Sequence, residues 1–157
     1  MKPDRILLID DTGASRAPMA MAILQELLPD DSVSIEARGL KVLFEEPLNQ
    51  KIRAVLAGNG IVISDDFASK QLTASDVTEN TLLLAVSSAN RHKILDRFPD
   101  LPQQNVRVLT EMAGEELEIV DPYGQPLQTY GLCFETMYRT LEKVAKLLEE
   151  EINERQA

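Results

Sequence analysis

Seven consecutive residues, Asp10-Asp11-Thr12-Gly13-Ala14-Ser15-Arg16, place two carboxylates, two hydroxyls, a glycine and a guanidinium directly after the apolar run Ile6 to Ile9. The chemistry this mixture offers is anion binding. The four apolar residues read as a buried strand, and a helical pattern starting near Pro18 puts the intervening backbone N–H groups at a helix N-terminus, which favours negative charge. Arg16 adds a planar fork of donors that suits phosphate. The expected anion-binding loop is therefore Asp11, Thr12, Gly13, Ala14, Ser15 and Arg16, with Asp10 at its entrance. A second polar cluster, Asp121-Pro122-Tyr123-Gly124, has the composition of a turn.

The elements that must position these groups alternate. Apolar runs at Ile6 to Ile9, Val33 to Ile35, Leu82 to Val86 and Val106 to Leu109 read as strands. Met19 to Leu28, Leu48 to Leu56 and Asn90 to Phe98 have helical spacing. Tyr130 to Ile152 reads as a long amphipathic helix with Leu132, Tyr138, Leu141, Val144, Ala145 and Leu148 along one side. The order βαβαβαβα predicts an α/β fold: a three-layer sandwich with an open four-stranded parallel sheet and right-handed crossovers. A ligand then binds beyond the carboxyl ends of the strands, where both the Asp10 to Arg16 loop and the Asp121 turn emerge. Residues 1–157 are expected to form one domain, without repeats or linkers.

The order of several short segments resembles the low-molecular-weight protein tyrosine phosphatases of the bacterial tyrosine and arginine phosphatase type. Their signature is a cysteine, five residues, an arginine and Ser-Pro, directly after the first strand. With Arg16 on the signature arginine, Asp10 occupies the position of the nucleophilic cysteine. Asp11-Thr12-Gly13 also imitates the Cys-Thr-Gly opening of many bacterial members, with the loop then one residue short. In both registers the position is an aspartate. Met19-Ala20, Arg38-Gly39-Leu40, Glu46-Pro47-Leu48-Asn49 and Ser69-Lys70-Gln71-Leu72-Thr73 follow in family order. Asp121-Pro122-Tyr123-Gly124 resembles the loop that supplies the family's general acid, which implies Asp121 as acid and Tyr123 as a wall of the pocket mouth.

A cysteine-dependent phosphatase needs a thiolate of depressed pKa, an arginine for the phosphoryl oxygens, a small hydroxyl to support the thiolate, and an acid for the leaving oxygen. Arg16 and Asp121 suit two of these tasks. The chain's one cysteine is Cys133, in the last helix. The resemblance also puts Gly13 where the family's loop asparagine stands and Ala17 where its supporting serine stands. Asp10 is a weaker nucleophile than a thiolate and carries its own charge. Two charges about 4 Å apart repel by several kcal/mol at an effective dielectric near 20. Asp10 is expected to pair with Arg16 and to accept hydrogen bonds from the loop amides, so that the pocket is partly filled from within. No cofactor is called for. Asp10 and Asp11 are adjacent, whereas metal-dependent aspartyl phosphatases space their two aspartates two residues apart.

Composition fits a globular chain: 157 residues should bury roughly 70% of the unfolded surface. A net charge of −10 disfavours nucleic acid and anionic membranes as partners. The N-terminal apolar run is too short and wrongly flanked for a signal peptide, and one cysteine allows no internal disulfide; both suit the cytoplasm. His92, alone in the opening turns of a helix, reads as a surface residue, and Cys133 as a small core residue. Ser15 has no base beside it that the sequence identifies. Three functions stay open. One is a phosphatase homologue without activity that binds a phosphorylated or anionic protein or small molecule, or acts as a regulatory module. The second is an active phosphomonoester or arginine-phosphate hydrolase using Asp10 or another group with Asp121. The third is an interaction protein whose loop binds no anion. Asp10, Gly13 and Ala17 together favour the first over the second.

Overall fold

The computed structural model describes residues 2–28 and 33–154. Strand β1 (Arg5–Asp10) is central in a sheet ordered β2-β1-β3-β4, with β2 at Ser34–Gly39, β3 at Thr81–Ala85 and β4 at Val106–Val108. Every pairing is parallel, which confirms the expected open four-stranded sheet. The strands β1 and β3 show no apolar–polar alternation because helices cover both of their faces. Ile6 and Leu8 point into one core and Leu7 and Ile9 into the other. The first core lies under α1 (Arg16–Leu27), α2 (Gln50–Gly58) and α5 (Leu127–Glu154); the second lies under α3 (Ser88–Arg97). The short α4 (Leu109–Met112) follows β4 directly, so Leu109 opens a helix rather than ending a strand.

Two helical expectations need correction. The sequence pattern starts the first helix near Met19, but α1 begins at Arg16. Pro18 sits in its first turn, where a missing N–H costs nothing, and the run Ala17 to Leu24 is buried on every side, which hides the amphipathic signal. In α5 the buried stripe runs through Tyr130, Phe134, Met137, Leu141, Val144 and Leu148. Leu132 does not belong to it: it is 63% exposed, and Tyr138 is half-buried. The rest of the expected stripe holds: Leu141, Val144, Ala145 and Leu148 are buried and Tyr138 packs against the core, so Leu132 alone lies off that face.

Register decides where the chemistry ends up. Asp10 pairs with Gly39, so the last residues of β1 and β2 stand side by side at the carboxyl edge. At the other end of these strands the Arg5 guanidinium bridges Glu36 (2.8 Å) and Asp76 (3.1 Å), and Arg38 Nε lies 3.4 Å from the other oxygen of Asp76. This network ties β1 and β2 to the turn before β3. Burial pushes the Glu36 and Asp76 carboxyls up, but hydrogen bonds and the two guanidinium charges outweigh it and hold both below their ordinary 4.5 and 3.8. Acids lowered in the folded state contribute stability above their ordinary pKa and lose it as pH falls through the lowered values. The urea midpoint should therefore drop between about pH 6 and about pH 3, and Asp76→Asn should flatten that drop; unchanged slopes would remove this network as its cause.

Candidate functional site

The loop from Asp10 to Ala17 turns tightly because of two glycines. Gly13 has φ +71°, a region that favours glycine. A Cβ added to Gly39 would lie 2.5 Å from the Thr12 carbonyl carbon, and one added to Gly13 would lie 2.8 Å from the Gly39 backbone nitrogen. The two backbones thus pass in direct contact, and the strand pairing continues beyond β2: Leu40 N donates to Asp10 O at 3.0 Å and Lys41 N to Asp11 O at 2.9 Å.

Asp10 is 2% exposed. Its Oδ1 accepts the Gly13 N–H and its Oδ2 accepts the Ala17 N–H, the latter at 2.9 Å. Helix α1 has no side-chain cap from its own N-cap residue, Ser15. The Asp10 carboxylate supplies that acceptor from seven residues away, filling an orphan donor of the first turn. Burial raises the Asp10 pKa, and the repulsion from Asp121 adds to this, more than the two amides and the Arg16 charge lower it. The expected pairing with Arg16 is not formed: among the described residues, no Asp10–Arg16 ion pair is present. Arg16 Nη1 instead donates to the Ile119 carbonyl at 2.7 Å, and its buried Nε–H has no partner.

The two aspartates diverge. Asp11 is exposed and turns to Lys93 Nζ and Asn90 Nδ2, both at 3.1 Å, which anchors the loop to α3. Thr12 Oγ1 accepts from Ala14 N at 3.3 Å, an ordering contact within the loop. Asp121 arrives from the opposite side, with Oδ1 3.1 Å from Tyr123 N and 3.4 Å from Ser15 Oγ. A carboxylate therefore does stand beside Ser15, which sequence alone did not identify. Tyr123 is 76% exposed, at the rim and free of a packed wall. His92 is exposed. Cys133 is buried in α5, 4.0 Å from Met19 Sδ and 3.8 Å from Val120 O. Burial pushes its thiol up to about 11, with Arg16 opposing and Asp121 assisting. Among the described residues no group of three His, Cys, Asp or Glu side chains is placed to hold a metal.

The segment Ser69 to Thr73 is a staple. Gly39 N donates to Lys70 O and Leu72 N to Gly39 O, both at 2.8 Å. Gln71 Oε1 accepts from Val42 N and its Nε2 donates to Leu40 O, again at 2.8 Å, while Ser69 Oγ accepts from Glu46 N. These bonds fix the 40–47 loop beside the Asp10 loop. A polar side chain spending both ends on backbone groups of another loop has no local sequence signal. Neither has the Ile119 carbonyl that holds Arg16.

A strand, an anion-type loop capping a helix, and a facing aspartate turn are the layout of the low molecular weight phosphatases, and the comparisons agree. The model of the family described as low molecular weight phosphotyrosine protein phosphatase matches residues 5–157, and the chain belongs to that family. It is 26% identical to a protein-arginine-phosphatase of Geobacillus stearothermophilus, over 95% of this chain and 99% of that one. It is 33% identical to EpsP of Ralstonia nicotianae, a probable low molecular weight protein-tyrosine-phosphatase, over 87% of this chain and 90% of that one. The solved YwlE arginine phosphatase from Geobacillus stearothermophilus superimposes with a TM-score of 0.86 at 25% identity, covering 97% of each chain.

Because backbone, not a flexible side chain, faces Gly39, Gly39→Ala should destabilise the protein by about 1–3 kcal/mol, read from urea unfolding. The amide NMR signals of Thr12 and Gly13 should shift with it; an unaffected midpoint would mean that the two strands' ends are not in contact.

Proposed function

We propose that this chain uses the phosphatase fold as a binding or regulatory module and does not turn over phosphoesters. The observation that supports this best is the Asp10 carboxylate, buried in the loop with the Gly13 and Ala17 amides. In this reading Asp10 stands where the family's resemblance places a nucleophilic cysteine, and it serves as an internal ligand. An incoming phosphoryl group must displace it or lie against it. Displacement forfeits two amide bonds to a charged group, about 3–6 kcal/mol in all, and lying against an ionised Asp10 costs several kcal/mol more. Arg16 is docked on Ile119 through Nη1 and its Nε–H is buried, so Nη2 is the end of the guanidinium left for an anionic group on a ligand. The loop residues Asp11 to Arg16 then order the site, Asp121 and Tyr123 border it, and no metal or cofactor takes part.

A second reading, an active phosphomonoester or phosphoarginine hydrolase with Asp121 as general acid, draws on one observation. Asp121 hangs over the loop, 3.4 Å from the Ser15 hydroxyl.

Hydrolysis of para-nitrophenyl phosphate and of a phosphoarginine peptide, with and without Mg²⁺ across the range pH 5 to 8, separates the two. The native chain is expected to match Asp10→Ala and Arg16→Ala at background. Activity that vanishes in both variants would overturn the proposal. Asp10→Cys alone should restore little, since Gly13 and Ala17 remain in the supporting positions; family-like rates from that single change would show that the supports do not matter. Inorganic phosphate should shift the Arg16 side-chain signal only at about millimolar concentration or above.

A further inference from the structure

Three of the exposed large apolar residues share one groove, while others such as Phe44 and Val62 lie elsewhere. Leu117 (85% exposed), Val120 (76%) and Leu132 (63%) line one groove of about 780 Å³ between the 115–120 segment and α5. Ile119 and Cys133 form part of its lining. Isolated exposed leucines need no explanation, but three converging on one groove mark an interaction surface.

The rim is charged in one sense. Glu115, Glu116 and Glu118 line the groove and no lysine or arginine does. Beyond Thr136 the character reverses: Arg139, Lys143 and Lys146 lie further along α5. The wall is also preformed. The Glu118 carboxylate takes the Ser88 N–H at 2.8 Å and its hydroxyl at 2.6 Å, the Ile119 carbonyl takes Arg16 at 2.7 Å, and Thr140 donates to Glu115 at 2.6 Å. A wall held at three points spends little ordering entropy on binding.

We propose that this groove docks a basic amphipathic segment of a partner protein. Its apolar side chains fill the space between Leu117, Val120 and Leu132, and its lysines or arginines face Glu115 to Glu118 and point away from Arg139. A second copy of this chain fits poorly, because a two-fold contact would set one acidic rim on another in molecules that each carry −10. The surface is separate from Asp10, so the docking test and the hydrolysis test succeed or fail independently.

The probe is a synthetic 16-residue helical peptide with leucines at helical spacing and lysines and arginines along one flank. It is compared with a scrambled peptide of the same composition and with one in which glutamate replaces each basic residue. Calorimetry on the whole chain is paired with amide NMR. The basic helical peptide should bind and shift signals within 115–120 and 129–136. Leu132→Ser should weaken binding about tenfold or more, as loss of a central apolar anchor does. Glu116→Lys should weaken it, and Arg139→Glu should strengthen it; all three positions are exposed, and circular dichroism checks the fold. Equal binding of the scrambled peptide, or indifference to Leu132→Ser, would reduce the effect to general charge attraction and overturn the proposal. So would preference for the glutamate peptide, or a dimer in sedimentation that Leu132→Ser abolishes.

Discussion

A carboxylate with no access to water has to be answered by donors, and the whole loop end of this molecule is arranged around that demand. Asp10 ends a strand that is apolar from Ile6 to Ile9, and among the described residues its hydrogen bonds come from amides that a sharp turn and a new helix leave unpaired. The turn therefore needs Gly13, and the helix begins at Arg16 with its first-turn amide already met. With Asp10 spent on amides, Arg16 takes its acceptor from the backbone of the 115–120 segment. One buried charge thus explains the loop shape, the helix start and the placement of the arginine.

Much of this was legible in the sequence, and the reasons for the rest are physical. The four-stranded parallel sheet could be read because β1 and β3 are covered on both faces and carry unbroken apolar runs; the strand order β2-β1-β3-β4 comes from the structure. The loop could be read because strand, small residues and helix follow within a few positions. The start of α1 could not, since a helix buried all round has no polar face to mark its phase. Leu132 is apolar and lies near the start of α5, but its position nine residues before Leu141 puts it about half a turn from the core stripe, which Tyr130, Phe134 and Met137 continue instead. The sequence pairs Arg16 with Asp10, a carboxylate of its own loop. Its actual acceptor is a carbonyl 103 residues away, a group every residue carries and none advertises.

The segment Ser69 to Thr73, which resembles a family segment, illustrates a different limit. Its Ser69 and Gln71 side chains bond backbone groups of the 40–47 loop. Asp11 ties the opposite flank to α3 through side chains, accepting from Asn90 Nδ2 and Lys93 Nζ. Residues that resemblance places near a site can be there to hold its walls, and their bonding partners, not their position in a motif, tell the two roles apart.

Gly13 and Gly39 press backbone to backbone, and the contact leaves no room for a side chain on either. None of the groups that could do chemistry takes part in it: not the carboxyl of Asp10, not the hydroxyl of Ser15, not the guanidinium of Arg16. The close approach itself therefore asks nothing of the reactive side chains, and an exchange at Ser15 or Arg16 leaves that part of the mould standing. Asp10 is the exception, because its carboxyl also holds the Gly13 and Ala17 amides, so a change there alters form and reactivity together.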